Sequence, residues 1–447
     1  MSRASWDVVI IGAGAAGLSA ARALAEAGRS ILLLEARDRI GGRIWTRHEV
    51  DTAAAVELGA EFIHGQAPQT FQLLRETGEA PLEIEGSHWT LLHGQLQKRT
   101  NDLFEQVQRA MKTANVAGKA DTSFQAFLDR APDYGVTKEA VALARGFVQG
   151  FDAADPACVS AQSIAEEWSS GGMLDAPQSR PSGGYSSVIR ALAGKLDRNN
   201  VHIQLQTTVK SVRWQAGSVE IEGLFIGRPF RVTTPKAIIT VPVGVLQLQQ
   251  GAPGAIDFHP ALGEKREALA GILSGPVLKV VLRFRTPFWE ELDGGQYRGA
   301  SFFHCLETPF PTFWTSLPVR SPFLNAWIGG PPAAQLSEKT DAQIIEAALR
   351  SLEGMFGDRL RKQQAQLEAA HLHNWQRDPL SCGAYSYVAV GNNDTARRSL
   401  AIPLKDTLFF AGEATDTNGE AATVTGALQS GTRAAQELLA TSPKQVR

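Results

Sequence analysis

Cysteine is scarce in this sequence, and neither sign of charge dominates it. The three cysteines among its 447 residues, Cys158, Cys305 and Cys382, lie far apart and form no C-x-x-C pair. Their spacing predicts neither a disulfide framework nor a metal site, and it is typical of a reducing compartment. The formal net charge of −2 gives no electrostatic reason to expect nucleic acid or an anionic membrane as a partner.

Long apolar runs are also missing. No run reaches the ~18 uninterrupted apolar residues that a spanning helix needs, so we expect no membrane span. The first predicted strand begins at Val8, which leaves no room for a signal peptide before it. A composition of 43% hydrophobic and 20% charged residues is typical of globular proteins. We therefore expect a cytoplasmic protein, and the chain length predicts about two to three domains.

Residues 7–42 carry the strongest motif. A β-branched run at residues 8–11 predicts a strand, apolar periodicity at about residues 18–27 predicts a helix, and residues 31–34 predict a second strand. The turn before the helix has three glycines in G-x-G-x-x-G spacing: Gly12, Gly14 and Gly17. This order of elements predicts a dinucleotide-binding unit, and the alternative is a glycine-rich turn without a ligand.

Each part of this motif has a physical role in dinucleotide binding. Gly12 permits a sharp turn, Gly14 lets the backbone approach a pyrophosphate, and Gly17 lets the helix pack closely on the sheet. The helix N-terminus then offers N–H groups and a partial positive charge to the pyrophosphate. Glu35 ends the second strand about 20 residues later, where a carboxylate can accept hydrogen bonds from ribose hydroxyls.

Two segments after the second strand extend the pattern. Arg43 follows a pair of glycines, so it either donates to a phosphate or ring edge or lies on the surface beside a turn. Residues 56–65 begin as a strand and end in glycine. Together, the glycine turn, the acid, GGR and LGAEFIHG resemble the flavin-dependent amine oxidase family, and within it the polyamine oxidases.

The resemblance implies FAD as the cofactor. It implies FAD contacts in the first part of the chain from Gly12, Gly14, Ala15, Ala16, Gly17, Glu35, Ala36, Arg37, Gly42, Arg43, Gly59, Ala60, Glu61 and Phe62. Val209 falls on a strand that contacts the FAD adenine through its main chain in this family. His64 falls where polyamine oxidases carry a polar residue near the substrate amine. It is a candidate for handling the substrate's proton because its unperturbed pKa lies near neutrality, and the alternative is a structural histidine at a turn.

Residues 276–284, PVLKVVLRF, predict a strand that carries Lys279. Strand alternation places Leu278, Val280, Leu282 and Phe284 on one face and Val277, Lys279, Val281 and Arg283 on the other. A lysine among valines is costly to bury without partners, so the residues alone favour an edge strand with the lysine in solvent. The resemblance reverses this expectation, because flavin amine oxidases place a lysine here that contacts the flavin N5 through a water.

The segment WQRDPLSCGAYSY, residues 375–387, is similar to another part of the family. In relatives the tryptophan stacks near the flavin and the tyrosine forms a wall of an aromatic slot, which implies these roles for Trp375 and Tyr385. Such a slot can hold an amine by cation–π contact. Monoamine oxidases have a cysteine before this tyrosine that bonds to the flavin. Here Ala384 takes that position, so we expect non-covalent FAD.

A second family signature, AGEAT followed by GA-x-x-SG-x-x-AA, lies near the C-terminus. It implies that FAD meets a strand end and the start of a helix, at Gly412, Glu413, Thr423, Val424 and Ala427. The helix N-terminus would face the flavin N1–C2 edge, where reduction develops negative charge. Monoamine oxidases have a second slot tyrosine where Thr423 stands, so the slot is open on one side and favours longer secondary amines.

The segments between these motifs are less informative. Residues 71–181 predict mainly helices. Their acids could attract a cationic substrate, but we expect solvated side chains because Asp and Glu are mostly exposed: Asp152, Asp155, Glu166 and Glu167. The aromatic residues of the segment 288–336 predict strands of a mixed sheet, as core rather than as a pocket wall.

We therefore predict an α/β protein with a Rossmann-like FAD-binding domain of the GR2 type and a substrate domain of a mixed sheet plus helices. The FAD domain would comprise residues 1–75, 182–262 and 378–447, and the substrate domain 76–181 and 263–377. The predicted activity is oxidation of a primary or secondary amine, as in a polyamine, with O2 reduced to H2O2. An L-amino-acid oxidase, a monoamine oxidase, a nicotinamide enzyme or a non-redox FAD-binding protein are the alternatives, and the oligomeric state stays open between monomer and homodimer.

Overall fold

The computed structural model describes residues 5–98, 102–169, 177–197, 199–357 and 366–441. In these ranges the helices are α1 (Ala15–Glu26), α2 (Pro68–Thr77), α3 (Asp102–Thr113), α4 (Phe124–Arg130), α5 (Lys138–Gly150), α6 (Ala161–Ser169), α7 (Ser186–Gly194), α8 (Val243–Leu246), α9 (Arg266–Ala270), α10 (Gly330–Ser337), α11 (Asp341–Phe356), α12 (Asn393–Ala401) and α13 (Val424–Ala440).

The strands in the same ranges are β1 (Val8–Ile11), β2 (Ile31–Leu34), β3 (Thr46–Arg47), β4 (Val56–Glu57), β5 (Pro81–Glu83), β6 (Ser87–Leu92), β7 (Gln95–Lys98), β8 (Ser179–Pro181), β9 (Val201–Gln204), β10 (Thr207–Gln215), β11 (Ser218–Phe225), β12 (Arg228–Thr234), β13 (Lys236–Ile239), β14 (Asp257–His259), β15 (Ile272–Gly275), β16 (Val277–Phe284), β17 (Ala300–His304), β18 (Thr312–Thr315), β19 (Phe323–Gly329), β20 (Leu367–Leu372), β21 (Tyr385–Val388) and β22 (Leu408–Phe410).

A five-stranded sheet of order β22-β13-β1-β2-β9 forms the first layer, and all of its strand pairs are parallel. Strands β1 and β2 are buried along their whole length, as their unbroken apolar runs predict for a sheet covered on both faces. The helices α1, α7 and α13 cover one face. On the other face, apolar residues of β10 and β11 pack from a four-stranded sheet of order β12-β11-β10-β14.

A second large sheet has seven strands in the order β20-β16-β19-β18-β17-β6-β7. Its pairs are antiparallel except β17 with β6, so the sheet is mixed. Leu278, Val280, Leu282 and Phe284 face one apolar core together with residues of α11, which confirms the predicted alternation of β16. The predicted α/β fold with a Rossmann-like sheet and a mixed sheet plus helices is therefore confirmed, and the domain boundaries stay a prediction.

Residues 71–181 contain the helices α3 to α6, which share one apolar core, but they are not only helical. The hairpin β6–β7 joins the mixed sheet through β17. Its two-residue turn, His93 and Gly94, has φ values of 50° and 76°. Positive φ at both positions is the type I′ geometry that matches strand twist, so the glycine at the second position was the missed signal.

Candidate active site

A single cavity of about 860 Å³ extends from the C-terminal end of the parallel sheet to the mixed sheet. Its lining includes every predicted site residue but one: Gly12, Gly14, Ala15, Ala16, Glu35, Ala36, Arg37, Gly42, Arg43, Gly59, Ala60, Glu61, Phe62, His64, Val209, Lys279, Trp375, Tyr385, Gly412, Glu413, Thr423, Val424 and Ala427. These positions come from distant parts of the sequence. The fold therefore brings the predicted cofactor and substrate residues to one place.

Gly17 is the exception, because it packs inside the fold rather than lining the cavity. A Cβ at Gly17 would lie 1.9 Å from the Gly12 carbonyl oxygen and 3.0 Å from Thr240 Oγ1. Gly17 faces the turn, and its predicted place among the cofactor residues stays a prediction. Its predicted role in close packing of α1 on the sheet is what the geometry supports.

The glycine-rich end of the cavity fits a pyrophosphate. Gly12 has φ +108°, a conformation that favours glycine. Helix α1 begins at Ala15 without a side-chain cap on Gly14, and Gly14, Ala15 and Ala16 all line the cavity. A Cβ on Gly14 would lie 3.9 Å from Gly42 Cα, so two glycine backbones form this wall. An uncapped helix start beside open space is a suitable anion site.

Glu35 lies where a ribose would follow the pyrophosphate. Its Oε2 accepts a 2.8 Å hydrogen bond from the Ala13 N–H, and its Oε1 accepts a 2.9 Å bond from the Arg37 N–H. Burial raises the pKa of this carboxyl, against the backbone hydrogen bonds that lower it. Each oxygen keeps a further lone pair for a hydroxyl donor, so the carboxylate fits its predicted role.

Arg37 is held by partners from the C-terminal part of the chain. Its Nη1 lies 2.8 Å from Asp378 Oδ2, and its Nη2 donates to Ser381 Oγ at 2.9 Å. Burial works to raise the pKa of Asp378, but hydrogen bonds from His373 and Arg37 outweigh it and hold that pKa well below its usual range. Arg37 also lies 5.7 Å from the ring centre of Trp375. The Asp of the W-x-x-D-P segment therefore fixes the arginine beside the cavity.

Arg43 is not a free surface arginine. Its Nη1 donates to the Ala384 carbonyl at 2.6 Å and to Glu413 Oε1 at 3.0 Å. The other oxygen of Glu413 accepts from Ser386 Oγ at 2.6 Å. Burial would raise the pKa of Glu413, but the charges of Arg43 and Arg397 outweigh it and lower that pKa. The surface alternative for Arg43 is thus wrong.

Lys279 is buried, and its strand is central. Strand β16 lies between β19 and β20, so the edge-strand alternative does not hold. The Lys279 Nζ donates to Glu61 Oε2 at 2.6 Å and to the Gly59 carbonyl at 3.3 Å. The carboxylate partner explains how a lysine is tolerated among valines. The sequence motif contained Glu61, but nothing in it indicated this pairing.

Aromatic side chains form the wall opposite the glycine turn. Trp375 is buried and donates from Nε1 to the Leu58 carbonyl at 2.8 Å, and the Tyr385 hydroxyl donates to the Phe151 carbonyl at 2.6 Å. Three aromatic residues of the mixed sheet also line the cavity: Phe302, Trp314 and Trp327. The expectation that this sheet supplies only core was therefore wrong, because alternation along each strand sends one face to the cavity.

Thr423 is the N-cap of α13. Its Oγ1 accepts a 3.0 Å hydrogen bond from the Gly426 N–H and donates to the Glu420 carbonyl at 2.6 Å. The helix start therefore faces the cavity with Thr423 and Val424 in its lining, as predicted. The hydroxyl itself is engaged by the backbone.

His64 differs from its predicted state. The side chain is half-buried, yet its Nδ1 is shielded from solvent and has no hydrogen-bond partner. Burial lowers the pKa of His64 to about 4. The premise of a pKa near neutrality is therefore wrong, because the ring lies edge-on to Phe62 and Phe151 rather than in water. A neutral imidazole therefore lines the cavity, with its Nδ1 buried and unpartnered.

Three of the four acids that we expected in solvent line the cavity, and two of them form a pair. Asp152 and Glu167 line it and interact with each other, and Asp152 Oδ2 is shielded from solvent. Burial raises the pKa of Glu167 to about 7, and burial together with the charge of Glu167 raises the pKa of Asp152 well above its usual range. Glu166 lines the cavity with an exposed side chain, whereas Asp155 lies outside it.

The cysteines lie away from this chemistry. Cys158, Cys305 and Cys382 all fall within the described residues, and none of the three lines the cavity. Burial raises the pKa of the Cys382 thiol, which disfavours the thiolate. Non-covalent FAD stays a prediction, and Ala384 itself lines the cavity.

Comparisons with known proteins agree with this geometry. Residues 15–439 match the family described as flavin containing amine oxidoreductase. The chain is 29% identical over 470 residues to lysine-specific histone demethylase 1 homolog 2 of Oryza sativa subsp. japonica, covering 98% of this chain and 57% of that protein. It is 28% identical over 469 residues to polyamine oxidase 2 of Arabidopsis thaliana, covering 98% and 89%.

Solved structures show the same fold. Wild-type putrescine oxidase bound to putrescine has a TM-score of 0.78 and 22% identity, with 98% of this chain and 99% of that chain covered. Cyclohexylamine oxidase from Brevibacterium oxydans IH-35A has a TM-score of 0.77 and 22% identity, with 97% and 98% covered.

The fold and the site define a flavoprotein oxidoreductase. The chain belongs to the flavin-containing amine oxidoreductase family, and its cofactor is FAD. Three features fit that cofactor: the uncapped start of α1, the Glu35 carboxylate, and the wall formed by the backbones of Gly14 and Gly42. The chain spans 53% to 58% of the length of three lysine-specific demethylase relatives. Within the described ranges, each helix is too short or too polar to cross a membrane.

Proposed function

We propose that this chain oxidises a polyamine or diamine to an imine, with O2 as the electron acceptor. The observation that carries the proposal is the acid pair Asp152 and Glu167 beside Tyr385. Burial raises the pKa of the Tyr385 hydroxyl, and the charges of both carboxyls raise it further, so the two acids lie close to the predicted aromatic slot. An acid pair there suits a substrate with a second ammonium group, which a simple monoamine lacks.

The chain's own residues would hold the amine and exclude water. A bound FAD would supply the acceptor for a hydride equivalent from the carbon next to the amine nitrogen and the route for its two electrons to O2, which would give H2O2. Tyr385, Trp375 and Phe62 offer aromatic faces to the reacting amine. The neutral His64 lines the cavity, and the unprotonated nitrogen of a neutral imidazole can accept a hydrogen bond from the amine. Water then hydrolyses the imine to an aldehyde, releasing ammonia from a primary amine or a smaller amine from a secondary one.

Lys279 is the residue that we assign to the reactive edge of the flavin. It is buried at the cavity wall on the central strand β16, beside Gly59. By resemblance, its ammonium holds a water next to the flavin N5. The names of the relatives support an amine substrate, since one is a polyamine oxidase and one solved structure holds putrescine.

An amino-acid oxidase is less well supported. It would need an arginine to anchor the substrate carboxylate. Among the described residues, three arginines line the cavity: Arg37, Arg43 and Arg397. The first two pair with Asp378 and Glu413. Arg397 donates to Ser386 Oγ at 2.7 Å and also to the Ala414 carbonyl, so each of the three already has partners.

Demethylation of a lysine side chain is the second candidate, because three demethylase relatives match nearly the whole chain. The test is anaerobic bleaching of the purified yellow protein with putrescine, spermidine, benzylamine, leucine and a dimethyl-lysine peptide. We expect rapid bleaching by the first two. Bleaching by the peptide alone would favour the demethylase, bleaching by leucine alone would favour the amino-acid oxidase, and either result would overturn the proposal.

A further inference from the structure

Glu61 has a more specific position than its place in a cofactor motif implies. Its Oε2 accepts the 2.6 Å hydrogen bond from Lys279 Nζ. Its Oε1 lies 3.0 Å from Trp314 Nε1, which donates to it, and 3.1 Å from Arg180 Nη1. The side chains of Lys279 and Glu61 are 4% and 8% exposed. One buried carboxylate therefore joins three donors from three strands.

The two carboxylate oxygens of Glu61 have different partners. Arg180 is anchored on its own account, since its Nη2 donates to the Thr315 carbonyl at 3.3 Å and its guanidinium lies 5.2 Å from the Phe62 ring centre. Together with Trp314, it holds Oε1 in place. Oε2 is then directed at Lys279 alone, so the carboxylate cannot rotate away from the lysine.

Glu61 stays ionised despite its burial. Burial would raise the pKa of Glu61, but the charges of Lys279 and Arg180 outweigh it and lower that pKa. Glu57 also interacts electrostatically with Lys279, but its oxygens accept hydrogen bonds from the Tyr185 N–H at 2.6 Å and the Thr46 hydroxyl at 2.8 Å. Glu61 is therefore the carboxylate that directly contacts Lys279.

We propose that Glu61 is a positioning residue that fixes the Lys279 ammonium at the cavity wall, between the Glu61 carboxylate and the Gly59 carbonyl. A lysine side chain has four rotatable bonds and a compact charge, so it holds one position only when its partners impose it. The inference rests on the proposed place of Lys279 beside the reactive edge of the flavin. Misplacement of such a group by about 1 Å can cost up to about 100-fold in rate.

The test compares flavin reduction and flavin potential in the FAD-loaded enzyme. Glu61→Gln keeps the shape of the side chain but removes its charge, and Glu61→Asp keeps the charge but shortens the reach. We expect both to slow anaerobic flavin reduction by roughly 10- to 100-fold. If Glu61 acted only through its negative charge, E61Q would raise the flavin midpoint potential without slowing flavin reduction. E61D would then have the same reduction rate and midpoint potential as the parent. That result would overturn the inference.

A double-mutant cycle with Lys279→Met tests whether Glu61 affects flavin reduction through Lys279. If Glu61 acts through Lys279, adding E61Q to K279M should change the rate by less than about twofold, because the positioned group is already gone. Multiplicative losses in the double variant would overturn the inference. An unchanged rate in K279M alone would overturn the proposed role of Lys279 itself, which distinguishes the two failures.

Glu49→Gln is the matched control. Glu49 pairs with Arg283, which lies on the same strand and the same face as Lys279. Neither Glu49 nor Arg283 lines the cavity. We expect E49Q to leave the reduction rate unchanged. Should E61Q fail to fold, Trp314→Phe removes one of the two donors to Oε1 and leaves Arg180 there, so we expect a smaller loss of rate in the same direction. A W314F rate equal to that of the parent would then count against the inference.

Discussion

Arg43 and Glu413, which are 370 residues apart in the chain, form a 3.0 Å ion pair at the cavity wall. Arg43 belongs to the GGR segment near the N-terminus, and Glu413 belongs to the AGEAT segment near the C-terminus. The contact joins the two most specific family signatures directly. FAD binding and stability of the fold should therefore depend on the same pair.

Arg43→Met is expected to weaken both properties. The substitution leaves Glu413 buried without its largest stabilising charge, so we expect a loss of about 2–3 kcal/mol in unfolding free energy, below the full cost of a buried pair because Arg43 is partly exposed. FAD affinity should fall at least about tenfold. Urea unfolding of the apoprotein and FAD titration by fluorescence measure the two effects.

The control for that variant is Arg22→Met. Arg22 pairs with Glu76 on the surface, so its loss should cost less than about 1 kcal/mol and leave FAD affinity unchanged. Equal effects of R22M and R43M would contradict the assignment of Arg43 to the site.

Two glycines of the same motif should respond differently to alanine. At Gly17 a Cβ would meet a backbone oxygen at 1.9 Å, so Gly17→Ala should destabilise the fold by about 3 kcal/mol. At Gly14 the nearest atom is 3.9 Å away and φ is −77°, so Gly14→Ala should fold normally. Its Cβ would occupy the predicted pyrophosphate cradle and lower FAD affinity at least about tenfold. Thermal unfolding without FAD measures the loss of stability, and FAD titration measures the loss of affinity. A G17A variant as stable as the parent would refute the packing role of Gly17.

The acid pair predicts a dependence of stability on pH. Because the folded-state pKa values of Asp152 and Glu167 are raised, the folded state binds protons more tightly than the unfolded state, and this contribution is largest at low pH. For Glu167, this stabilising contribution is lost as the pH rises from 4.5, the ordinary pKa of a Glu side chain, to about 7, its raised pKa in the folded state. Glu167→Gln should therefore be more stable than the parent at pH 8 by about 1–2 kcal/mol, after allowing for the solvated cavity.

The same variant should lose affinity for a second ammonium group. We expect E167Q to raise KM for putrescine at least about tenfold and leave KM for a monoamine nearly unchanged. Asp155→Asn, outside the cavity, is the control. Equal changes for diamine and monoamine would mean that the pair does not contact the substrate.

Non-covalent FAD predicts a simple extraction result. Precipitation with trichloroacetic acid should leave all of the yellow flavin in the supernatant, because Ala384 offers no sulfur and the pKa of the Cys382 thiol is raised by burial. Cys382→Ser should behave in the same way. Flavin retained in the parent pellet but released from C382S would identify a covalent bond to that cysteine.

The motifs predicted the cofactor end of the site well because its geometry is local. Strands β1 and β2 have the predicted bounds, and the glycine turn lies between β1 and α1 as the spacing indicates. The predicted assignment of side chains to the two faces of β16 is also confirmed, because strand alternation is a property of the backbone. Lys279 itself required the resemblance, because its tolerance in the interior depends on Glu61 from another segment.

The substrate end was harder to predict because its properties arise from packing. Asp152 follows α5 and Glu167 lies in α6, and neither position signals that the two carboxyls meet in a cavity. The pKa of His64 depends on Phe62 and Phe151 around it rather than on its own chemistry. Burial of polar groups is a tertiary property, so composition gave the wrong environment for these three side chains.

The order of the parallel sheet has a consequence for biosynthesis. Its strands are taken from residues 8–11, 31–34, 201–204, 236–239 and 408–410, with the last of them at one edge. A nascent chain on the ribosome therefore exposes an unpaired edge on β13 until β22 is made, and it lacks Glu413 and α13 until residues 413–440 are made. Loading with flavin must wait until these residues leave the ribosome, so a cell short of riboflavin would accumulate unfilled molecules rather than stalled fragments.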